Sequence, residues 1–221
     1  MISMNIGIDI GKRHDPSAIV VAVAEERRNQ GRWETHYSIP FLKRLDLETP
    51  YPDQARQLLE ISKSATVKFW KDQQQKNQTG MIRGQNHIYV DVTGVGDAVV
   101  DMLKPSAKSI GPLHPCRFVA GDRINKINFK EYQIGKAHFV SRLQVLAESK
   151  LIHLPPNHPE AGQLAQEMLD FDIDVDETSG KATFGAMRPG THDDMVCALG
   201  LACLIDPHKN YAVTGPKPVG L

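Results

Sequence analysis

The chain has 221 residues, enough for one domain with a sizeable core. Its 26 basic and 26 acidic side chains cancel, so there is no global basic signal for nucleic acid, and any such contact must come from a local patch. The three cysteines, Cys116, Cys197 and Cys203, are odd in number and lack zinc-type spacing, which fits a reduced, cytoplasmic compartment. No signal peptide is read at the start. The longest apolar run, Met195 to Ile205, is far too short to span a bilayer and reads as a helix buried on all sides.

Met4 to Ile10 predicts a short strand, and Ser17 to Ala24 and Trp33 to Leu42 predict two more, with Asn29-Gln30-Gly31 between them as a hairpin signal. Asp53 to Lys76 reads as a long helix: Leu58, Leu59, Ala65, Phe69 and Trp70 lie near helical spacing, and Pro52 stands at its start. The polar run from Gln73 to Gly80 is expected to fray. A fourth strand spans His87 to Val92, and Gly94 and Gly96 turn the chain into a helix from Asp97 to Leu103, stopped by Pro105. Cys116 to Ala120 predicts a fifth strand. A polar loop, a helix from about Glu131 to Ser149, an extended Leu151 to Leu154 and a helix from His158 to Leu169 follow. Asp170 to Val175 alternates acid and apolar as a strand with one wet face does, and Thr178-Ser179-Gly180-Lys181 turns it into Ala182 to Gly185. The last helix runs from Asp193 to Ile205. Residues 1–205 are read as one domain and 206–221, rich in Pro and Gly, as a loose tail.

Three hairpin-linked strands followed by alternating helices and strands give an α/β mixed sheet, three antiparallel strands then parallel ones, with helices on both faces. This is the ribonuclease-H-like order. In it the first and fourth strands are parallel neighbours, so Asp9 and Asp91 fall side by side near their carboxyl ends, and the late helix brings Asp193 and Asp194 over the same edge. Acids converging there suit hard divalent cations, which take oxygen ligands. Two Mg2+ or Mn2+ ions about 3.5–4 Å apart are the usual apparatus for phosphodiester hydrolysis. For each acid alone the plainer role is a turn former or a helix N-cap; their joint placement favours a metal site. His192 is read either as a further ligand or as a residue that shapes the helix start.

The segments Gly7-Ile8-Asp9-Ile10-Gly11, Asp15 to Val21, Val90-Asp91 and Gly190-Thr191-His192-Asp193-Asp194-Met195-Val196-Cys197-Ala198-Leu199 resemble the C-terminal nuclease domain of phage large terminase subunits. Lys136, Arg142, Leu143 and Leu151-Ile152-His153-Leu154-Pro155 resemble the segment before that family's last motif. The likeness spans roughly residues 4–205. It implies a metal-dependent endonuclease that cuts duplex viral DNA during packaging. Asp9, Asp91 and Asp194 would be metal ligands and catalytic residues, and Asp193 an additional ligand. It also implies partners: an ATPase motor domain or subunit, the small terminase subunit and the portal, in the host cytoplasm, with no membrane. Two departures stand out. No G-x-x-x-x-G-K-[ST] motor loop occurs, so the chain is expected to be an excised domain, a split gene product or a free-standing relative. Related nucleases, Holliday-junction resolvases included, often place another acid one helical turn after the first, where this chain has Cys197.

Between Arg117 and Arg142 the bases are Arg117, Arg123, Lys126, Lys130, Lys136 and Arg142 against only Asp122 and Glu131. A phosphate backbone is expected to dock there, with Lys136 foremost and Arg142, Lys12 and Arg13 assisting; the plainer reading is a solvated helix face. Asp170, Asp172, Asp174 and Asp176 lack the Gly and distal Glu of a calcium loop. Three other readings compete: a junction-resolvase-like nuclease, a non-catalytic docking module, and an actin-like ATPase fragment suggested by Asp9-Ile10-Gly11 and Asp91-Val92-Thr93-Gly94-Val95-Gly96.

Overall fold

The computed structural model describes residues 2–11, 15–76, 84–94, 96–127, 131–175, 182–186 and 192–204. Three strands open it: β1 (Ile2–Asp9), β2 (Ala18–Asn29) and β3 (Arg32–Arg44), antiparallel in sequence order. Gln30 and Gly31 turn β2 into β3 with positive φ, 46° and 85°, the two-residue hairpin that Asn29-Gln30-Gly31 signals. Helix α1 (Tyr51–Lys76) leads to β4 (Gly84–Asp91), parallel to β1, and α2 (Gly96–Ala107) leads to β5 (Leu113–Val119), parallel to β4. There follow β6 (Ile124–Ile127), β7 (Glu131–Gly135), α3 (Lys136–Glu148), β8 (Ile152–His153), α4 (Ala161–Asp170), β9 (Phe171–Val175), β10 (Ala182–Ala186) and α5 (Asp194–Leu204). The eight-stranded sheet runs β6-β7-β5-β4-β1-β2-β3-β8, and β9 and β10 pair separately. This is the ribonuclease-H-like mixed sheet that the element order predicts.

The departures from expectation have local causes. Helix α1 stays helical to Lys76 instead of fraying from Gln73. Helix α2 continues through Pro105 to Ala107. Pro105 forfeits the N–H bond to the carbonyl one turn back, and the burial of Leu103, Ala107 and Ile110 under the sheet offsets that loss. The helix expected from Glu131 begins at Lys136, and a hairpin on the sheet edge precedes it. Tyr132 and Ile134 are buried between half-buried Glu131 and Gln133, a period of two over a five-residue strand. That signal is shorter than the helical pattern adjoining it. The turn at Thr178 to Lys181 and the tail 206–221 lie outside the described residues, as do Lys12 and Arg13.

Each face of the sheet carries its own core. Met4, Ile6 and Ile8 of β1 face α1 and α2 with Leu58, Val99 and Leu103. Asn5, Gly7 and Asp9 therefore point to the other face, where α3, through Phe139 and Leu143, packs with α4 and α5 over Tyr37 and Tyr89. Helix α5 is buried along its whole length, as its unbroken apolar sequence requires. It meets β1 with almost no space between them. The Asn5 amide donates to the Ala202 carbonyl at 3.0 Å, and a Cβ on Gly7 would lie 2.0 Å from the Ala198 oxygen. These contacts run the helix start toward the strand end. Among the described residues no helix is long and apolar enough to cross a membrane.

Gly7→Ala forces the α5 backbone to move and is expected to cost about 3 kcal/mol or more. Gly162→Ala, in α4 with open space at the Cβ position, should be neutral or stabilising by about 0.5–1 kcal/mol. Urea unfolding of both variants measures the contrast, and equal stabilities would refute the close approach.

Candidate active site

Asp9 ends β1 and Asp91 ends β4. Ile8 lies opposite Val90 in the parallel register, so the two carboxylates leave adjacent strands at the same end of the sheet. Both lie on the face that α5 covers, two residues beyond Gly7 and Tyr89 respectively. Asp194 is the first residue of α5, and Asp193 precedes it, its carbonyl accepting the Cys197 N–H at 2.9 Å. Asp193 thus stands at the helix cap, one residue outside the helix that the sequence predicts it to open.

The electrostatics record how close these groups come. Burial pushes the Asp9 carboxyl well above the ordinary range, and the negative charges of Asp91, Asp194, Asp193 and Asp15 push it further. Burial also raises Asp91, opposed by hydrogen bonds from Thr93, whose N–H lies 2.7 Å from Oδ1, and by the charges of Arg117 and Lys136. Cys197 occupies the place where a further acid was sought. Its thiol is buried and raised by desolvation and then by Asp9, Asp193, Asp91 and Asp194. The fourth inward position on this edge is therefore filled by an uncharged group.

Asp194 is 3% exposed yet not alone. Its Oδ2 accepts from Arg44 Nε at 2.7 Å, while its Oδ1 lies 3.9 Å from His192 Nδ1. Arg44, the last residue of β3, also donates through Nη2 to Glu167 of α4, and its backbone N–H donates to the Glu160 carboxylate at 2.9 Å. Glu167 in turn accepts the Val196 N–H at 3.3 Å. Burial and then the neighbouring Asp194 push the Glu167 carboxyl up to about 7. Sequence reading missed both Arg44 and Glu167. The one local signal was the spacing of Glu167 three residues after buried Leu164, which sets a carboxylate on the inward face of α4.

The basic stretch divides. Lys136 begins α3 directly after β7, close enough to Asp91 to oppose its charge. Arg142 lies further along α3, within electrostatic reach of Cys203 near the other end of α5. Arg117 is engaged by neighbours at the surface, with Glu131 at 2.8 Å, Asp97 at 2.7 Å and the Val92 carbonyl at 3.1 Å. Its task is to pin the chain that follows Asp91. Lys126 lies 5.5 Å from the centre of the Tyr132 ring.

The donors fit a hard divalent cation in kind: they are carboxylate oxygens, and a half-buried Asp9 crowded by negative charge calls for a cation. Among the described residues, no three His, Cys, Asp or Glu side chains yet stand close enough together to hold an ion. The edge is an open set of donors, not a closed cage.

The sheet order and the helices on its two faces define the class, a ribonuclease-H-like α/β protein. No protein-family model matches the chain, and no curated protein matches it. Among solved structures, the Thermus thermophilus RuvC structure matches at 10% sequence identity with a TM-score of 0.32. The match covers 52% of this chain and spans 63% of that one. A likeness this distant carries no argument about function, and the strand order itself defines the class.

Asp9 and Glu167 both have raised values in the folded protein, so without metal the folded state holds protons that the unfolded chain has released. The stability they contribute is complete below the ordinary carboxylate range and is lost as pH rises through the folded values, about 7 for Glu167. The slope is at most about 1.4 kcal/mol per pH unit for each group. Asp9→Asn removes its share. In thermal melts with chelator, its advantage over the native chain should widen from pH 5 to pH 8, at about 2–4 °C per kcal/mol. A gap that narrows with pH would contradict the desolvation of Asp9.

Proposed function

We propose that this chain is a metal-dependent endonuclease that hydrolyses phosphodiester bonds of duplex DNA, acting as the nuclease of a viral DNA packaging apparatus. The observation that supports it is the meeting of Asp9, Asp91 and the Asp193–Asp194 pair at one end of the sheet, with Asp9 raised by burial and then by the charges of the other three acids. Asp9, Asp91 and Asp194 would hold Mg2+ or Mn2+, with Asp193 as a further ligand. Bound there, the ions supply a water activated for attack and a counter-charge for the leaving 3′ oxygen. The chain's own residues do the rest. The adjacent ends of β1 and β4 hold two carboxylates in fixed register. The cap of α5 presents the others across the same edge. Lys136 sets a cation beside Asp91, where a phosphate would draw near, and it contacts backbone without reading bases.

The resemblance to terminase nucleases extends the proposal to partners: a separate ATPase motor, a small terminase subunit and a portal. Positioning by a motor normally supplies much of the rate, so the chain alone should cut slowly and with little selectivity, and it should hydrolyse no ATP.

Supercoiled plasmid incubated with the purified chain should be nicked and linearised in Mn2+ or Mg2+ and remain intact in chelator. Asp9→Asn should abolish cutting while the protein stays folded. Cutting in chelator, or by Asp9→Asn, would sink the metal mechanism. Linear duplex and four-way junctions run side by side decide the substrate: faster cutting of linear duplex supports the packaging role, and strong preference for junctions replaces it with a resolvase role.

Lys136→Ala should weaken binding equally on unrelated duplexes and reduce the slope of log affinity against log salt by about 1. Fluorescence anisotropy across salt concentrations measures it. An unchanged slope removes Lys136 from the DNA interface.

A further inference from the structure

Arg44 is a firmly placed cation at the carboxylate edge whose task the proposed chemistry does not use. It ends β3, and its side chain and backbone reach three acids: Asp194 at the start of α5, Glu167 in α4, and Glu160 just before α4. The guanidinium contacts are largely out of solvent, with side-chain exposures of 22% for Arg44, 9% for Glu167 and 5% for Asp194. A guanidinium presents several donors in a rigid fork, so its two contacts constrain each other's direction in a way that an ammonium could not reproduce. Glu167 is anchored independently by the Val196 N–H, inside the first turn of α5. The result is a brace joining β3, α4 and α5 that touches the proposed ligands at Oδ2 of Asp194.

We propose that Arg44 is a positioning residue for this site: braced by Glu167, it grips Asp194 through Oδ2 and turns Oδ1 toward the edge shared with Asp9 and Asp91. The proposal rests on the nuclease reading. Two features of the geometry argue for positioning over simple ion pairing. Removing charged pairs from water costs as much as their attraction returns, so a buried triad is poor at stabilising a fold and good at setting a geometry. In addition, Arg44 holds Oδ2 of Asp194, while Oδ1 lies 3.9 Å from His192 Nδ1, beyond hydrogen-bond reach of that ring.

The test uses the full chain and Mn2+ as the probe, with two readouts: the Mn2+ concentration that half-saturates the rise in Tm, and kcat and KM on plasmid. Arg44→Lys keeps the charge and loses the fork. It should stay folded in chelator and need about 10–100-fold more Mn2+. Its kcat at saturating Mn2+ should fall by a similar factor, with KM for DNA within about twofold. If Arg44→Lys does not fold, Arg44→Met combined with Glu167→Met replaces the pair with apolar groups, and the same shifts are expected of it. A folded variant with native Mn2+ dependence and kcat overturns the proposal. So does tighter Mn2+ binding, which would mean that Arg44 competes for Asp194 and does not position it. A native chain that neither binds Mn2+ nor cuts DNA overturns the nuclease reading itself. A native chain that does both, beside an unaltered Arg44→Lys, overturns this inference alone.

Discussion

The contact on which the rest depends is the approach of α5 to β1 at Gly7. With no side chain at that position, the backbone of Ala198 comes so near that even a methyl group would collide with it. A helix apolar on every side is stable only where every side is covered. Here the sheet covers one side, and α3 and α4 cover others: Gly200 takes the ring of Phe139 where a larger residue would exclude it. The depth of this helix sets the height of its first residue above the sheet. Asp194 therefore arrives at the strand ends and not above them.

Arrival at that edge creates an electrostatic problem. Asp9 leaves a strand flanked by apolar neighbours and meets Asp91 on the adjacent strand and two acids across from it. The protein opposes part of this charge by unequal means. Asp194 receives Arg44, Asp91 receives one N–H and one hydroxyl contact from Thr93 with Arg117 and Lys136 nearby, and burial and the neighbouring acids leave the Asp9 carboxyl well above the ordinary range. Such an imbalance is unfavourable for a purely structural edge and natural for one that takes up positive charge. Cys197, buried among the same acids, adds no charge to it.

Two arginines hold this arrangement from opposite sides. Arg117 ties the chain after Asp91 to α2 and β7, and Arg44 ties the start of α5 to β3 and α4. Both are spent on acids of the chain itself, and Lys136, at the head of α3, adds its charge beside Asp91. Within the basic stretch, Arg117 is balanced by Glu131 of β7 and by Asp97 of α2.

Much of this was legible in the sequence because it is written locally. The apolar runs of β1, β2 and β4 mark buried strands, Asn29-Gln30-Gly31 marks the hairpin, and the unbroken apolar run after Asp194 demands a buried helix. The order of these elements then places Asp9, Asp91, Asp193 and Asp194 on one edge. Short signals were lost beside longer ones, which is why the β6–β7 hairpin was read as loop and helix, and Pro105 as a stop. The tertiary structure alone decided how the edge is braced. Arg44 and Glu167 are 123 residues apart and Arg44 and Asp194 are 150 apart. Neither stands in a pattern that names its partner, because a local period can tell a side chain which face to occupy but not which distant charge will be waiting there. That depends on where α4 and α5 cross the end of β3, and the crossing is set by packing over the whole sheet.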